Sequence, residues 1–390
     1  MKNLVLLSVI ISFISITACN NKGSEYVTYN EEGVPVIDIE NITQKGELAF
    51  SDLMKDFEIT RLETKEECLI YNAFRRYASR NYVVVSTNRK GILLFSREDG
   101  SFITKITDYG NGPGEVSPAH QLEYNEMTQT LYVVSDYNSV GIIKVFKLPD
   151  AGYSTIKLTT DNRINDIVCK DSIITLAPLY FEENCRVISQ TISGRELFRI
   201  NHTNENNAYY ANIYNIDGQL MFYYSYGGNI MYLITNGELV PHSYYSLKGK
   251  MYQGMIQEEI GDFALGLQPL NKQLVLGDYS RIIDHQSFDD SDYMRAVFDK
   301  RQTFIFNKKK GSAYLIDKIK DDYLGSDKTI NTKQSNGLFS QYYEVQELFN
   351  LRDKINKDPE ADNDIKLRLN TLCDQLDIND NPVFLTAKMK

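Results

Sequence analysis

Short apolar segments separated by turn residues recur through the middle of the chain. Tyr82–Ser86, Ile92–Phe95 and Phe102–Ile106 follow one another, with turns at Asn88–Gly91 and Arg97–Gly100 between them. Apolar runs of this length bounded by Gly, Asn and Asp predict β-strands joined as hairpins. The segment therefore predicts a unit of strand, turn, strand, turn, strand.

Further units repeat this order. Their predicted strands are Thr130–Ser135, Ile142–Phe146 and Thr155–Leu158; Ser172–Leu176, Arg186–Thr191 and Leu197–Ile200; Gln219–Tyr224, Asn229–Thr235 and Leu239–Tyr245; and Gln273–Asp278, Gln302–Asn307 and Ser312–Ile316. Residues 281–300 interrupt the last of these units and predict a surface loop. A sixth unit begins near Gly337 with Leu338–Val345. Because the units recur at about 40 to 55 residues, close to the length of a propeller blade, they predict an all-β fold, a six-bladed β-propeller with four-stranded blades.

The hydrophobic period changes near the C-terminus. Val345, Leu348, Phe349 and Ile355 fall on one helical face, and a second helical run follows Pro359. This pattern predicts a helical hairpin over residues 341–377. The apolar segment 383–388 then predicts a final strand, which we expect to close the ring by completing a blade begun elsewhere in the chain.

The first 19 residues have the pattern of a bacterial lipoprotein signal peptide. Lys2 precedes an apolar core, which ends in Ile16-Thr17-Ala18-Cys19. This pattern predicts cleavage before Cys19 and lipidation of its thiol, which tethers the mature chain to a membrane. Polar residues 20–33 predict a flexible tether, and residues 34–390 the propeller. Asn20 after the cysteine, with no acidic run following, favours the outer membrane with the protein facing the periplasm.

Composition and charge narrow the possible partners. The formal net charge is -10 and the isoelectric point about 5.1, so a nucleic-acid backbone would be repelled. The histidines are dispersed, and the two acidic segments, 289–292 and 377–381, are more typical of solvated loops than of calcium sites. The sequence therefore predicts no metal, no cofactor and no nucleic-acid partner.

Four cysteines follow Cys19, and two interpretations of them remain open. Cys169 and Cys185 could lie on neighbouring strands and pair in an oxidising compartment. Alternatively Cys68, Cys169, Cys185 and Cys373 are buried thiols that pack as small hydrophobic side chains, which we favour. No C-x-x-C motif is present.

Several motifs together resemble those of the six-bladed β-propeller lipoproteins of gut Bacteroidetes, distant relatives of NHL-type propellers. These are Arg61-Leu62-Glu63-Thr64 before the first blade, the hairpin Phe95–Ile103, the loop Gly110–Glu115 and the tail Asp380-Asn381-Pro382-Val383. The resemblance spans nearly the whole mature chain. It implies the fold and an envelope location, but no defined activity.

The loop Gly110–Glu115 has the most unusual local sequence. Gly110, Gly112 and Gly114 surround Pro113, and glycine permits backbone conformations that other residues avoid. A phosphate cradle is one interpretation, although neither G-x-G-x-x-G nor a Walker motif is present. The other is a tight crossing between blades, with Glu115 bonded to backbone amides or to an arginine such as Arg75 or Arg76.

Tyrosines are concentrated in the fourth unit. We take Tyr223, Tyr224 and Tyr226, with Arg75 and Arg76, as candidate residues of a binding face, because tyrosine offers apolar contact and a hydroxyl group. Packing between strands would explain the same tyrosines without a ligand.

Three functions are compatible with this sequence. The leading hypothesis is an envelope-anchored, non-enzymatic binding or scaffold module for a protein, peptide or glycan. The alternative is an extracytoplasmic glycan lyase or hydrolase with its site at the propeller axis, although no catalytic residue is identifiable from a motif. A third is a subunit of an envelope complex that docks through the helical hairpin.

Overall fold

The chain begins with a hairpin that joins a distant sheet. The computed structural model describes residues 25–117, 119–135, 141–179, 185–201, 210–225, 229–246, 263–287, 294–298, 300–328 and 337–390. The N-terminal elements are β1 (Val27–Tyr29), β2 (Pro35–Asp38), β3 (Leu48–Ala49), α1 (Phe50–Leu53) and β4 (Met54–Arg61). Because β1 and β2 pair with each other, the flexible tether predicted over residues 20–33 is too long at its C-terminal end.

Five blades follow in chain order, each beginning with its innermost strand. Blade 1 has β5 (Ala73–Ala78), β6 (Tyr82–Thr87), β7 (Gly91–Ser96) and β8 (Phe102–Thr107); blade 2 has β9 (Ala119–Asn125), β10 (Thr130–Ser135), β11 (Ile142–Lys147) and β12 (Gly152–Lys157); blade 3 has β13 (Ile164–Lys170), β14 (Ile173–Pro178), β15 (Cys185–Thr191) and β16 (Glu196–Asn201); blade 4 has β17 (Tyr210–Ile216), β18 (Gln219–Ser225), β19 (Ile230–Thr235) and β20 (Glu238–Ser246); blade 5 has β21 (Phe263–Pro269), β22 (Leu274–Ser287), β23 (Met294–Phe298), β24 (Gln302–Asn307) and β25 (Ser312–Ile316).

Two of these blades extend beyond four strands. The hairpin of β1 and β2 adds to the outer edge of blade 4, where β2 runs parallel to β20. In blade 5 the long strand β22 pairs with β24 along its first half and with β23 along its second. The surface loop predicted over residues 281–300 is therefore wrong where the structure describes it, because that segment forms a hairpin.

The sixth blade joins the two ends of the chain. After β26 (Ile319–Lys320), which pairs with β3, come β27 (Leu338–Tyr343), α2 (Val345–Lys357), α3 (Asn363–Cys373) and β28 (Val383–Met389). Strand β28 lies between β27 and β4 and is antiparallel to both. The predicted six-bladed propeller, its C-terminal helical hairpin and its closing strand are confirmed.

The blades are held together by apolar contacts between neighbouring sheets. Within the described residues there are six hydrophobic clusters, and each lies at one of the six interfaces between blades. In β6, Val83 and Val85 pack toward blade 6, whereas Val84 packs toward blade 2. Because successive side chains of a strand point to opposite faces, an uninterrupted apolar strand fills two interfaces at once.

The helical hairpin contributes to the interface of blades 5 and 6. Leu348 of α2 and Leu369 of α3 are fully buried in that cluster, and Asp362 caps α3 by accepting hydrogen bonds from the Asp364 and Ile365 amides. Of the large apolar side chains described on the two helices, Leu367 is exposed. The hairpin therefore offers a single exposed leucine rather than the apolar stripe that a docking subunit would need.

The four cysteines within the described residues are buried and form no disulfide. Cys169 and Cys185 both belong to the cluster between blades 2 and 3. Burial raises the pKa of the Cys169 thiol well above its usual value. In this structure the thiols act as small apolar side chains, the interpretation favoured from sequence.

Residues from both ends of the chain meet where the ring closes. The Asn381 side chain donates to the carbonyl oxygens of Glu63 at 2.7 Å and Cys68 at 3.0 Å. Its Oδ1 accepts the Ile70 amide at 2.8 Å. Glu63 in turn accepts the Phe102 amide at 2.9 Å. Three of the motifs that carry the family resemblance, around residues 61–64, 95–103 and 380–383, thus form one junction.

His242 on β20 is expected to make stability depend on pH. The ring is 6% exposed, and burial together with the charge of Lys308 lowers its pKa from 6.5 to about 4. Below pH 6.5 the unfolded chain gains a proton that the folded chain does not bind, so stability is lost as the pH falls from 6.5 toward 4. The loss between pH 7 and pH 5 should be about 2 kcal/mol. Urea unfolding at both pH values, compared with His242→Gln, measures it; equal pH slopes for the two proteins would contradict the assignment.

Candidate functional site

A cavity of the described structure lies on the propeller axis. It has a volume of about 460 Å³ and is bounded by the innermost strands of blades 1, 2, 3, 4 and 6. Residues 74–77, 121–123, 213–215 and 340–342 supply most of its wall, with Val168, Lys328 and Phe384. A cavity of this size on the axis of a ring is large enough for a small ligand.

Cationic side chains gather on the side of the cavity formed by blades 1 and 6. Arg75 and Arg76 are exposed on β5, and Lys328 precedes β27. The Arg76 guanidinium carbon lies 3.6 Å from the centroid of the Tyr342 ring, a cation–π contact. Lys328 Nζ donates to the Tyr342 carbonyl at 2.7 Å and to Glu347 Oε2 at 2.6 Å. The structure thus brings the two predicted arginines into the axial cavity.

One polar atom of the cavity wall is buried without a partner. Gln341 is 9% exposed, and its Oε1 accepts no hydrogen bond from the described residues. An unsatisfied buried acceptor costs about 1 to 3 kcal/mol in free energy. Because this oxygen has less than 1 Å² of accessible surface, it faces the packed interior and not the open space of the cavity.

Tyrosine hydroxyls around the cavity mostly connect one blade to the next. Tyr77 donates to the Tyr124 carbonyl at 3.3 Å, and Tyr214 to the Leu267 carbonyl at 3.2 Å. Tyr342 instead donates to Glu344 beside the cavity, and burial raises its pKa. The Tyr77 and Tyr214 hydroxyls therefore connect neighbouring blades around the inner ring, and the Tyr342 hydroxyl is protonated at neutral pH.

The structure corrects the predicted binding face in blade 4. Tyr223 is 0% exposed and donates to the Leu265 carbonyl of blade 5 at 2.5 Å, while Tyr224 is 8% exposed and packs between blades 3 and 4. Neither can contribute to an exposed face, because strand β18 is covered on both sides. Tyr226 lies outside the described residues.

The glycine-rich loop forms the crossing between β8 of blade 1 and β9 of blade 2. The Gly112 amide donates to Glu115 Oε2 at 2.8 Å, and Gly114 has a φ of +80°. A Cβ at position 110 would overlap the same carboxylate, which explains why glycine is needed there. Lys144 donates to the Glu115 carbonyl. Glu115 thus takes a backbone amide and not Arg75 or Arg76 as its partner, and the loop lies outside the wall of the axial cavity.

A second depression of about 290 Å³ lies at the turns that follow the innermost strands of blades 2, 3 and 4. Its wall includes Met127, Lys170 and Asp217, and it shares Asn215 with the axial cavity. The two spaces are neighbours along the axis.

The described wall of the axial cavity holds few groups for hydrolytic or metal chemistry. Glu123, 6% exposed, is the one carboxylate among the residues that line the axial cavity. The described residues also include no cluster of three His, Cys, Asp or Glu side chains able to hold a metal ion.

Sequence reasoning missed Gln341, Lys328 and Glu123. They lie on or beside innermost strands, and none belongs to a motif. Once a propeller is accepted, the signal that could have found them is a polar residue within the first strand of each repeat, because that strand borders the axis.

None of the described helices is both long and apolar enough to span a bilayer. This finding concerns residues 25 onward in the ranges that the structure describes.

Comparison with known proteins supports the fold. A crystal structure of a proposed exported protein from Bacteroides fragilis superposes with a TM-score of 0.62 at 11% identity, covering 89% of this chain and 98% of that one. A member of the DUF4221 family from Bacteroides vulgatus gives a TM-score of 0.45 at 11% identity, covering 87% and 98%. A search of the curated proteins gives no match. The model of the family described as a domain of unknown function, DUF4934, matches residues 34–388, and the chain therefore belongs to this family.

Proposed function

We propose that this protein is a lipid-anchored, non-enzymatic binding module of the bacterial cell envelope, and that its axial cavity receives part of a protein, peptide or glycan. The observation that carries the proposal is the exposed Arg76 guanidinium, which lies 3.6 Å from the centroid of the Tyr342 ring in the wall of a cavity of about 460 Å³. The N–H groups of Arg76 are charge-assisted hydrogen-bond donors.

The envelope location is supported by the signal sequence and by the family resemblance. Residues 16–19 have the processing pattern of a lipoprotein, and the similar fold from Bacteroides fragilis is that of a proposed exported protein. We place the anchor in the outer membrane with the propeller in the periplasm. Seven residues separate Cys19 from β1, so the rim of blade 4 would lie within about 28 Å of the bilayer.

The alternative of a glycan hydrolase has less support. Hydrolysis of a glycosidic bond generally uses two carboxyl groups that face each other across the bond. Among the described residues of the cavity wall, Glu123 alone carries a carboxylate. The cavity chemistry is better suited to recognition than to hydrolysis.

Filling the cavity should abolish binding without unfolding the ring. Ser340 is partly exposed on β27 in the cavity wall, so Ser340→Trp places a large side chain in the ligand space. We expect the full chain, purified in detergent, to bind a subset of a glycan and peptide array, and the Ser340→Trp variant with an unchanged melting temperature to lose those signals. Identical array profiles for both proteins would refute the cavity as the binding site.

The anchor is tested by metabolic labelling. Cells expressing the full chain and given radioactive palmitate should incorporate label into this protein, and the Cys19→Ala variant should incorporate at least tenfold less, because the acylated thiol is removed. The variant should also appear in the soluble periplasmic fraction. Equal labelling of the two proteins would exclude lipidation at Cys19.

A further inference from the structure

We propose that the face of the propeller opposite the lipid anchor is a docking surface for a second protein, and that it binds a basic, apolar segment of that protein. The inference rests on the proposed anchor at Cys19 but not on the axial cavity. We call this surface the distal face. It consists of the turns β9–β10, β13–β14 and β17–β18, which surround the depression of about 290 Å³, and of the adjoining turn β15–β16.

Strand directions in blade 4 place the anchor at the other end of the ring. Strand β20 is the fourth strand of an antiparallel blade, so it ends at the edge of the blade opposite the β17–β18 turn. Strand β2 is parallel to β20 and antiparallel to β1, so the chain enters β1 at that same opposite edge. The short segment after Cys19 therefore holds that edge toward the bilayer, and the distal face points away from it.

The distal face exposes apolar side chains beside the depression. Met127 is 82% exposed, the largest fraction among the large apolar side chains that the structure describes, and Ile173 and Ile192 are also exposed. The three lie on adjoining turns. The Asn125 side chain donates to the Asp171 carbonyl at 3.0 Å, and the Ile192 amide donates to a carbonyl oxygen of the β13–β14 turn at 3.0 Å. Exposed apolar side chains on adjoining turns favour contact with another protein.

Carboxylates give the described wall of the depression an excess of negative charge. Glu126, Asp171 and Asp217 line it together with one cation, Lys170. Within the described residues these carboxylates form no ion pair, since Glu126 accepts a backbone amide at 2.6 Å and both aspartates are exposed. Lys170 Nζ is directed at the Gly218 carbonyl, at 3.5 Å. A partner segment that carries lysine or arginine is therefore complementary to this surface.

A second copy of this chain does not suit the distal face. Two copies docked face to face would carry their anchors on opposite sides of the pair. Each ring is about 20 Å deep along strands of six residues, so a tether that reaches about 28 Å cannot pass two rings to the same bilayer. The segment that follows Cys19 also enters at the other end of the ring. The occupant is therefore a different protein, on the side of the ring away from the bilayer.

The test is fluorescence anisotropy of three labelled hexapeptides with the full chain in dodecyl maltoside. The peptides are Arg-Leu-Arg-Leu-Arg-Leu, Arg-Ser-Arg-Ser-Arg-Ser and Glu-Leu-Glu-Leu-Glu-Leu. We expect the first to bind about tenfold more tightly than the others, because it alone offers both positive charge and apolar side chains. Asp217→Asn, which suits the positive φ of +49°, and Met127→Ser should each weaken its binding about fivefold. The matched controls are Asp374→Asn and Leu367→Ser, both exposed on the helical hairpin, and they should bind as the native chain does.

Equal affinity for the three peptides, or losses in Asp217→Asn and Met127→Ser no larger than those of their controls, would overturn the docking surface. Sedimentation velocity tests the excluded occupant. The native chain should sediment as a monomer, and self-association that Met127→Ser abolishes would show that a second copy covers the face. Ser340→Trp should keep the peptide affinity. Because the array and the palmitate labelling report the axial cavity and the anchor separately, failure of the peptide test leaves the proposed function standing.

Discussion

Replacing Asn381 with alanine should lower the free energy of unfolding by about 4 kcal/mol. The side chain is 1% exposed and makes three hydrogen bonds with the backbone of residues 63–70, at 2.7, 2.8 and 3.0 Å. Alanine leaves the Ile70 amide and the Cys68 carbonyl without their partner, and the Glu63 carbonyl keeps only the Cys68 thiol as a donor. Each orphaned group costs about 1 to 3 kcal/mol, so the joint loss is large.

Equilibrium unfolding in urea measures this loss. Asn379→Ala is the matched control, because Asn379 is exposed two residues earlier and its side chain bonds only locally to Asp377. The control should change stability by less than about 0.5 kcal/mol. An Asn381→Ala protein as stable as the control would show that the junction does not hold the ring closed.

Replacing Gly100 with alanine should destabilise the protein by about 3 kcal/mol, from strain and overlap together. Gly100 has a φ of +76°, and an added Cβ would lie well inside contact distance of the Arg61 carbonyl oxygen. Relief requires either β4 or the turn after β7 to shift, and the two are tied by the Glu63 amide, which donates to the Gly100 carbonyl at 2.8 Å.

Gly33→Ala separates the two causes. Gly33 has nearly the same φ, +73°, but an added Cβ there meets no atom within 4 Å. This control should lose only the conformational part, about 1 kcal/mol. Thermal melts of both variants give the comparison, and equal losses would contradict a steric contribution from the backbone at Arg61.

Asn381 and Gly100 show that the recognisable motifs of the chain stabilise the junction between its two ends. Gly100 and Asn381 belong to motifs that carry the resemblance to propeller lipoproteins, and both lie where the N- and C-terminal strands meet in blade 6. The glycine-rich loop likewise forms a crossing between blades. The distinctive local sequences thus stabilise the fold, whereas the cavity residues belong to no recognisable motif.

The strands predicted correctly are those whose side chains fill two interfaces. Residues 82–87 and 91–96 are nearly all buried and mostly apolar, so continuous apolar runs mark these strands in the sequence. The innermost strands were missed because they border the axis and mix polar with apolar residues; β5, with the sequence AFRRYA, has five exposed or half-exposed residues before its buried end. Apolar runs therefore identify the middle strands of each blade, but they do not identify the innermost strand at the axis.

The candidate site was only partly predictable for the same reason. Arg75 and Arg76 attract attention as adjacent cations, and the structure brings them to the cavity. Tyr223 and Tyr224 attract attention as aromatic residues, but blades 3 and 5 cover them. Composition identifies a residue type, whereas exposure depends on which sheet packs against it.

By itself the sequence determined the repeat of apolar strands, the helical hairpin and the pattern that predicts a lipid anchor at Cys19, because each depends on local order along the chain. Only the tertiary structure decided that residues 63–70 meet Asn381, and that Arg76, Gln341 and Phe74 share one cavity. These groups lie in different blades or at opposite ends of the chain, and ring closure alone brings them together. Ring closure makes residues that are distant in the sequence neighbours at the axis, and local sequence patterns do not predict those contacts.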